Sequence, residues 1–140
     1  MKKIMFPASF DPIHQGHIKL ISRALKVFDE VIVVVTNNYN KQHDQPIEQR
    51  YQEVCNQLAN FDNVKVITNV DQLTAKLAED LNITFLLRGI RNTTDLNYEY
   101  ELANANQILN PELQTIYFFA EENDKEISST LLKEIKSYQK

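Results

Sequence analysis

Glycine is almost absent from this 140-residue chain, which has only Gly16 and Gly89. Two glycines so far apart cannot spell G-x-G-x-x-G or G-x-x-x-x-G-K-[ST], so the dinucleotide fingerprint and the P-loop are both excluded. Cysteine is scarcer still. A single one, Cys55, rules out an intrachain disulfide and fits a reducing compartment. No apolar run reaches transmembrane length, and Pro7 and Asp11 interrupt what would be the apolar core of a signal peptide. Excess positive charge is lacking too. The formal net charge of −4 disfavours a nucleic-acid binder, though a local cluster can still oppose the global sign at a small anionic ligand. These absences leave one cytoplasmic globular domain over 1–140, without nucleic-acid or membrane partners. At 43% hydrophobic residues, the chain can bury a proper core.

What is present is concentrated at Phe6 to His17, F-P-A-S-F-D-P-I-H-Q-G-H. Two of the four prolines and one of the two glycines fall there. The segment before it, Ile4 to Phe6, reads as a short buried strand. Ile18, Ile21, Leu25 and Phe28 follow at helical spacing. Val31 to Val35 is an unbroken β-branched strand, apolar on both faces. A polar loop, Asn37 to Gln45, leads to a helix marked by Ile47, Tyr51, Val54, Cys55 and Leu58, with Pro46 in its first turn. Val64 to Ile67 is a third strand. A helix starts near Gln72 with Asp71 as N-cap. Thr84 to Leu87 is a fourth strand, ending in R-G-I-R. Leu96 to Leu109 is helical, Thr115 to Phe119 a fifth strand, and Ser129 to Tyr138 a last helix after an acidic loop. Five β-α repeats predict a Rossmann-like α/β fold: a doubly wound parallel sheet of order 3-2-1-4-5 with helices on both faces. Ligands on such sheets sit beyond the carboxyl ends of the strands, where the winding reverses. The loaded stretches all follow strands, so they converge there.

Without a glycine-rich loop, a phosphate site must use other donors. The first helix offers free N–H groups and its positive dipole end. Gly16 permits close approach. His14 and His17, three apart, share a face, and Ser9 adds a hydroxyl. Such a group binds an oxyanion and donates to it as charge develops. H-x-x-H could also begin a metal site, but only Cys55 and His43 remain to complete it, so no protein-held metal is expected.

S-F-D-P-I-H-Q-G-H resembles the [ST]-F-D-P-x-x-x-G-H signature of nucleotidyltransferases with the H-x-G-H type motif. Arg88 to Leu113, R-G-I-R-N-T-T-D-L-N-Y-E-Y-E-L-A-N-A-N-Q-I-L-N-P-E-L, is similar to the R-G-[LI]-R and D-[FL]-x-Y-E blocks of bacterial phosphopantetheine adenylyltransferases. I-S-S-T at Ile127 to Thr130, followed by L-L-K-E-I, resembles a third block of that family. The likeness runs from about residue 3 to 138, nearly the whole chain.

The resemblance implies adenylyl transfer from ATP to 4′-phosphopantetheine, giving dephospho-coenzyme A and pyrophosphate. It implies His17, Lys41 and Ser9 as catalytic residues. Phe10, His14, Gly16, His17, Gly89, Arg91, Glu99, Ser128, Ser129 and Thr130 fall on the ATP side. Ser9, Lys41, Leu73, Thr74, Arg88 and Asn106 fall on the acceptor side. Mg²⁺ would be bound mainly through the ATP phosphates, coenzyme A would act as a feedback ligand, and a homohexamer is the family's assembly. Two departures are visible. Ala8 stands where the family has glycine, which requires a negative φ or strain there. The chain is also shorter at its C-terminus than the family's usual members. The same turn motif occurs in nicotinate mononucleotide adenylyltransferases, and a non-catalytic nucleotide-binding module on this fold is the remaining alternative.

Overall fold

The computed structural model describes residues 1–37, 42–120 and 128–139. Its elements run β1 (Lys3–Ala8), α1 (Gln15–Ala24), β2 (Glu30–Thr36), α2 (Ile47–Gln57), β3 (Val64–Asn69), α3 (Thr74–Asp80), β4 (Phe85–Ile90), α4 (Thr93–Leu109), β5 (Gln114–Phe119) and α5 (Ser129–Tyr138). The five strands form one parallel sheet of order β3-β2-β1-β4-β5, as the alternation predicts.

The β-branched run in β2 explains the two-sided architecture. Successive strand side chains face opposite ways, so an unbroken apolar strand needs cover on both faces. Val31, Val33 and Val35 pack with Ile4, Phe6 and Leu87 against Leu20, Ile21 and Ala24 of α1 and Val54 of α2. On the other face, Ile32 and Val34 pack with Met5 and Leu86 against Ala75 and Ala78 of α3. β1 and β4 are neighbours, and Met5 pairs with Leu86. The crevice at their carboxyl ends is therefore the point where the winding reverses.

Of the boundaries that differ from the sequence expectation, three bear on the crevice. β4 continues through Arg88 and Gly89 to Ile90, because those residues pair with Tyr117, Phe118 and Phe119 of β5. Arg88 therefore stands on a strand and not in a turn. α3 starts at Thr74 with Leu73 as its N-cap residue, and Asp71 does not cap it. Asn69 supplies the local closure instead: its Oδ1 accepts from Gln72 N–H at 3.0 Å and its Nδ2 donates to Gln72 O at 2.7 Å. α4 begins at Thr93, earlier than its apolar residues indicate, because Asn92 Oδ1 accepts from Asp95 N–H at 3.1 Å. Among the described residues no helix is long and apolar enough to cross a membrane.

Candidate active site

The turn between β1 and α1 is built around two histidines that cap the helix. His14 is the N-cap residue in extended conformation, and its Nδ1 accepts from Gly16 N–H at 3.1 Å. The His14 backbone N–H in turn donates to His17 Nδ1 at 3.1 Å. Both interactions satisfy donors that a helix start leaves without partners. The glycine is required here for a specific reason. A Cβ on Gly16 would lie 2.9 Å from His14 Cε1. Gly16 thus makes room for the capping ring.

This arrangement fixes the chemistry of His17. With Nδ1 accepting, the ring proton sits on Nε2, which becomes the available donor. The ring stacks on His14 with centroids 3.8 Å apart and lies 4.7 Å from Phe10. Burial, and then the charges of His14 and Arg91, lower its pKa to about 4. His17 is therefore a neutral donor at neutral pH. Burial is the leading cause of this shift, ahead of the neighbouring charges.

Phe10 takes the strain of the turn. It has φ of 50° and is 1% exposed, held by edge-on contact with Phe6 at 5.5 Å. A left-handed phenylalanine costs about 1 kcal/mol or more, which its buried packing offsets. Ala8, by contrast, keeps a φ outside the positive region, so replacing the family's glycine introduces no backbone strain at that point.

Two cavities meet at this turn. The larger, about 600 Å³, extends from Ser9, Phe10 and Thr36 past Thr74, Leu86, Tyr98, Leu102 and Asn106. The smaller, about 390 Å³, lies between α1 and β4, against Gly16, Leu20, Gly89 and Ala120. Ala8, His14, His17, Arg88 and Arg91 line both. The shared wall thus carries two imidazoles and two guanidiniums. The one carboxylate on either lining, Asp11, is held through Oδ2, which accepts from Asp44 N–H at 2.8 Å and lies 3.5 Å from His43 Nδ1. Although burial alone would raise the Asp11 pKa, the Asp44 N–H, Arg50 and His43 outweigh it and lower it. The side chains lining the two cavities therefore set two guanidiniums against a single carboxylate.

The two arginines are held differently. Arg88 Nε donates to both Glu99 oxygens at 2.9 and 3.1 Å, and Nη2 donates to Oε1 at 2.6 Å. Glu99 is 4% exposed and lines neither cavity. Tyr117 Oη donates to the Glu99 carbonyl at 2.9 Å, which ties this pair to β5. Burial, followed by the Glu99 charge, raises the Tyr117 pKa. Arg91 is mostly exposed, and its Nε lies 3.3 Å from Asp95.

The sequence-derived candidates therefore separate into groups. Ser9, Phe10, His14, Gly16, His17, Thr74, Arg88, Gly89, Arg91 and Asn106 come together around the two cavities. Glu99 sits behind Arg88. Leu73 is 59% exposed and lines neither cavity. Ser128, Ser129 and Thr130 open α5 on the surface, where Ser128 Oγ accepts from Leu131 N–H at 3.2 Å. Lys41 and the acidic loop from 121 to 127 lie outside the described residues.

Arg50 escaped the sequence reading. Its helix displays an apolar stripe, and an arginine beside such a stripe reads as a solvated charge. In the fold it is 1% exposed. Only the isolation of one arginine next to apolar Val54 and Tyr51 hints at this.

A cytidylyltransferase-like family model matches residues 5–135. A phosphopantetheine adenylyltransferase of Mycoplasma mycoides is 38% identical over 140 residues, covering 100% of both chains. One of Wigglesworthia glossinidia brevipalpis is 39% identical, covering 98% of this chain and 81% of its own. Among solved structures, the lipopolysaccharide core biosynthesis protein of Thermoplasma volcanium matches with a TM-score of 0.63 at 21% identity. It covers 89% of this chain and 99% of its own, a likeness of fold. With its H-x-G-H type turn, its R-G-I-R strand end and these relatives, the chain belongs to the phosphopantetheine adenylyltransferases of the cytidylyltransferase-like family.

Proposed function

We propose that this protein transfers the adenylyl group of ATP to 4′-phosphopantetheine, releasing pyrophosphate and forming dephospho-coenzyme A. The observation that carries the reading is the shared wall. Two cavities meet at His14, His17, Arg88 and Arg91, so a phosphate from each side would abut the same donors. Two polyanions brought together need neutralisation and alignment more than covalent chemistry from the protein.

The nucleotide would occupy the cavity by Gly16 and Gly89, and the acceptor's arm would run along Thr74, Leu102 and Asn106. An acceptor phosphate oxygen attacks the α-phosphorus. That oxygen–phosphorus bond forms as the bond to the β-phosphate oxygen breaks, and the electron pair leaves with pyrophosphate. No proton transfer is needed. His17 Nε2–H would donate to an α-phosphate oxygen as the phosphorus becomes five-coordinate, and its neutrality keeps the proton in place. Arg88, preset by Glu99, would grip the acceptor phosphate. Ser9 would add a hydroxyl at the same phosphates. The family resemblance adds Lys41 to this group, Leu73 to the acceptor arm, and Ser128, Ser129 and Thr130 to the β- and γ-phosphates.

Among the described residues no three His, Cys, Asp or Glu side chains are grouped to hold a metal ion. In this reading Mg²⁺ is part of the substrate, MgATP, carried on its phosphates. A cytoplasmic location, a homohexamer and feedback by coenzyme A complete the proposal.

The test is pyrophosphate release from MgATP with each acceptor in turn. Release with 4′-phosphopantetheine supports the reading. Release with nicotinate mononucleotide alone replaces it with the related adenylyltransferase. Nucleotide binding without release under any acceptor leaves a binding module.

A further inference from the structure

Among the described residues Arg50 is the largest fully buried side chain, and it is charged. A guanidinium removed from water needs several acceptors, and the positions of those acceptors are informative. Nη1 donates to the carbonyl of Ser9 at 2.7 Å and to that of Thr36 at 2.8 Å. Nε donates to the carbonyl of Gln45 at 2.9 Å, and Nη2 donates to Asn37 Oδ1. These acceptors come from three separate segments. Ser9 lies just past β1, Thr36 ends β2 with Asn37 just beyond it, and Gln45 precedes α2. One planar fork therefore fastens the catalytic turn to both ends of the loop between β2 and α2.

We propose that Arg50 is a positioning residue for the transfer reaction, fixing Ser9 through its carbonyl so that the Ser9 hydroxyl faces the reacting phosphates. Ser9 lines the larger cavity, and the residue after it, Phe10, is held in a left-handed conformation. A turn with that backbone demand needs an external anchor at its start. Lysine cannot substitute, because one ammonium cannot present donors to acceptors arranged around a planar fork. Arg50 itself lines neither cavity, so it acts through Ser9 and not on substrate. The inference rests on the adenylyl-transfer reading for its kinetic part only.

The test is Arg50→Lys, compared with Arg23→Lys, an arginine bound to the Phe119 carbonyl away from Ser9. Two readouts are taken. In pyrophosphate release, kcat per ATP-binding protomer falls at least about tenfold in Arg50→Lys, while MgATP affinity by calorimetry stays within about threefold. In ¹⁵N-labelled protein, the Ser9 and Phe10 amide resonances move in Arg50→Lys and stay in place in Arg23→Lys. An unchanged kcat in folded Arg50→Lys overturns the proposal, as does a proportional loss of kcat and MgATP affinity. If Arg50→Lys does not fold, Asn37→Ala removes one acceptor and leaves the other three. It should lower kcat a few-fold at unchanged MgATP affinity, and no decrease overturns the proposal. Wild-type protein inactive with phosphopantetheine fails the functional reading instead, and the amide resonances then decide the anchoring alone.

Discussion

Glu99 holds Arg88 from behind, with both carboxylate oxygens on Nε and one on Nη2, while the Nη1 end makes no hydrogen bond among the described residues. The pair is asymmetric in exposure, 26% for the arginine side chain and 5% for the glutamate. The carboxylate is buried in the protein and the guanidinium reaches the cavities. An ion pair built this way orients its exposed member.

Glu99→Gln tests that orientation. The amide keeps the shape and loses the charge and one acceptor. The expected result is a rise of about tenfold in KM for phosphopantetheine with little change in KM for MgATP. Thermal unfolding should show a loss of about 2 kcal/mol, since a largely buried charge partner is removed. Initial rates with each substrate varied in turn check this. A rise confined to the MgATP KM would place Glu99 on the nucleotide instead.

His17→Ala separates transition-state stabilisation from ground-state binding. Its ring is oriented by the His14 N–H on Nδ1, which leaves Nε2–H as the donor at the wall shared by the two cavities. Turnover is expected to fall by about a hundredfold or more, with MgATP affinity changed by less than about fivefold. Equal losses of turnover and affinity would assign the ring to binding alone.

The lowered pKa of His17 also makes a prediction about acid stability. Its folded value is about 4, below the ordinary 6.5, so the unfolded chain binds its proton first. The contribution of neutral His17 to stability is therefore complete above about pH 6.5 and declines as pH falls towards about 4. Across that window wild type should lose at most about 3 kcal/mol relative to His17→Gln. Denaturant titrations of both proteins at several pH values measure the difference. The same shift predicts that kcat shows no ionisation from His17 between about pH 5.5 and 8.

How much of this was legible in the sequence depended on how local each signal was. The five strands and their order followed from the apolar run Val31 to Val35 and from the β-α alternation, both short-range patterns. The donors His14 and His17 were readable because they sit three apart in one contiguous motif at a helix start; their capping bonds to each other's segment were not. Arg50 was not readable, since its burial depends on carbonyls supplied by the ends of β1 and β2 and by Gln45. Arg88 lay beyond the expected end of β4 because its ladder partner Tyr117 is 29 residues away. The start of α4 was hidden because Leu96, Tyr98 and Ile108 face outward, which blurs the apolar stripe.

Gly16 supplies the last prediction, because its need for a missing side chain can be separated from any need of the substrate. A methyl group there would meet His14 Cε1 at 2.9 Å and Nδ1 at 3.0 Å. The His14 ring would have to swing away, breaking its bond to the Gly16 N–H and its stack on His17. Loss of the cap costs about 1 kcal/mol. Loss of the stack leaves His17 less fixed, so kcat for Gly16→Ala should fall about tenfold. If the crowded ring is the cause, Gly16→Ala combined with His14→Ala should be no slower than His14→Ala alone. If the added methyl instead obstructs the nucleotide, the double variant will be slower than His14→Ala and will bind MgATP more weakly. Kinetics of the two single variants and the double variant, with calorimetry for MgATP, decide between the two.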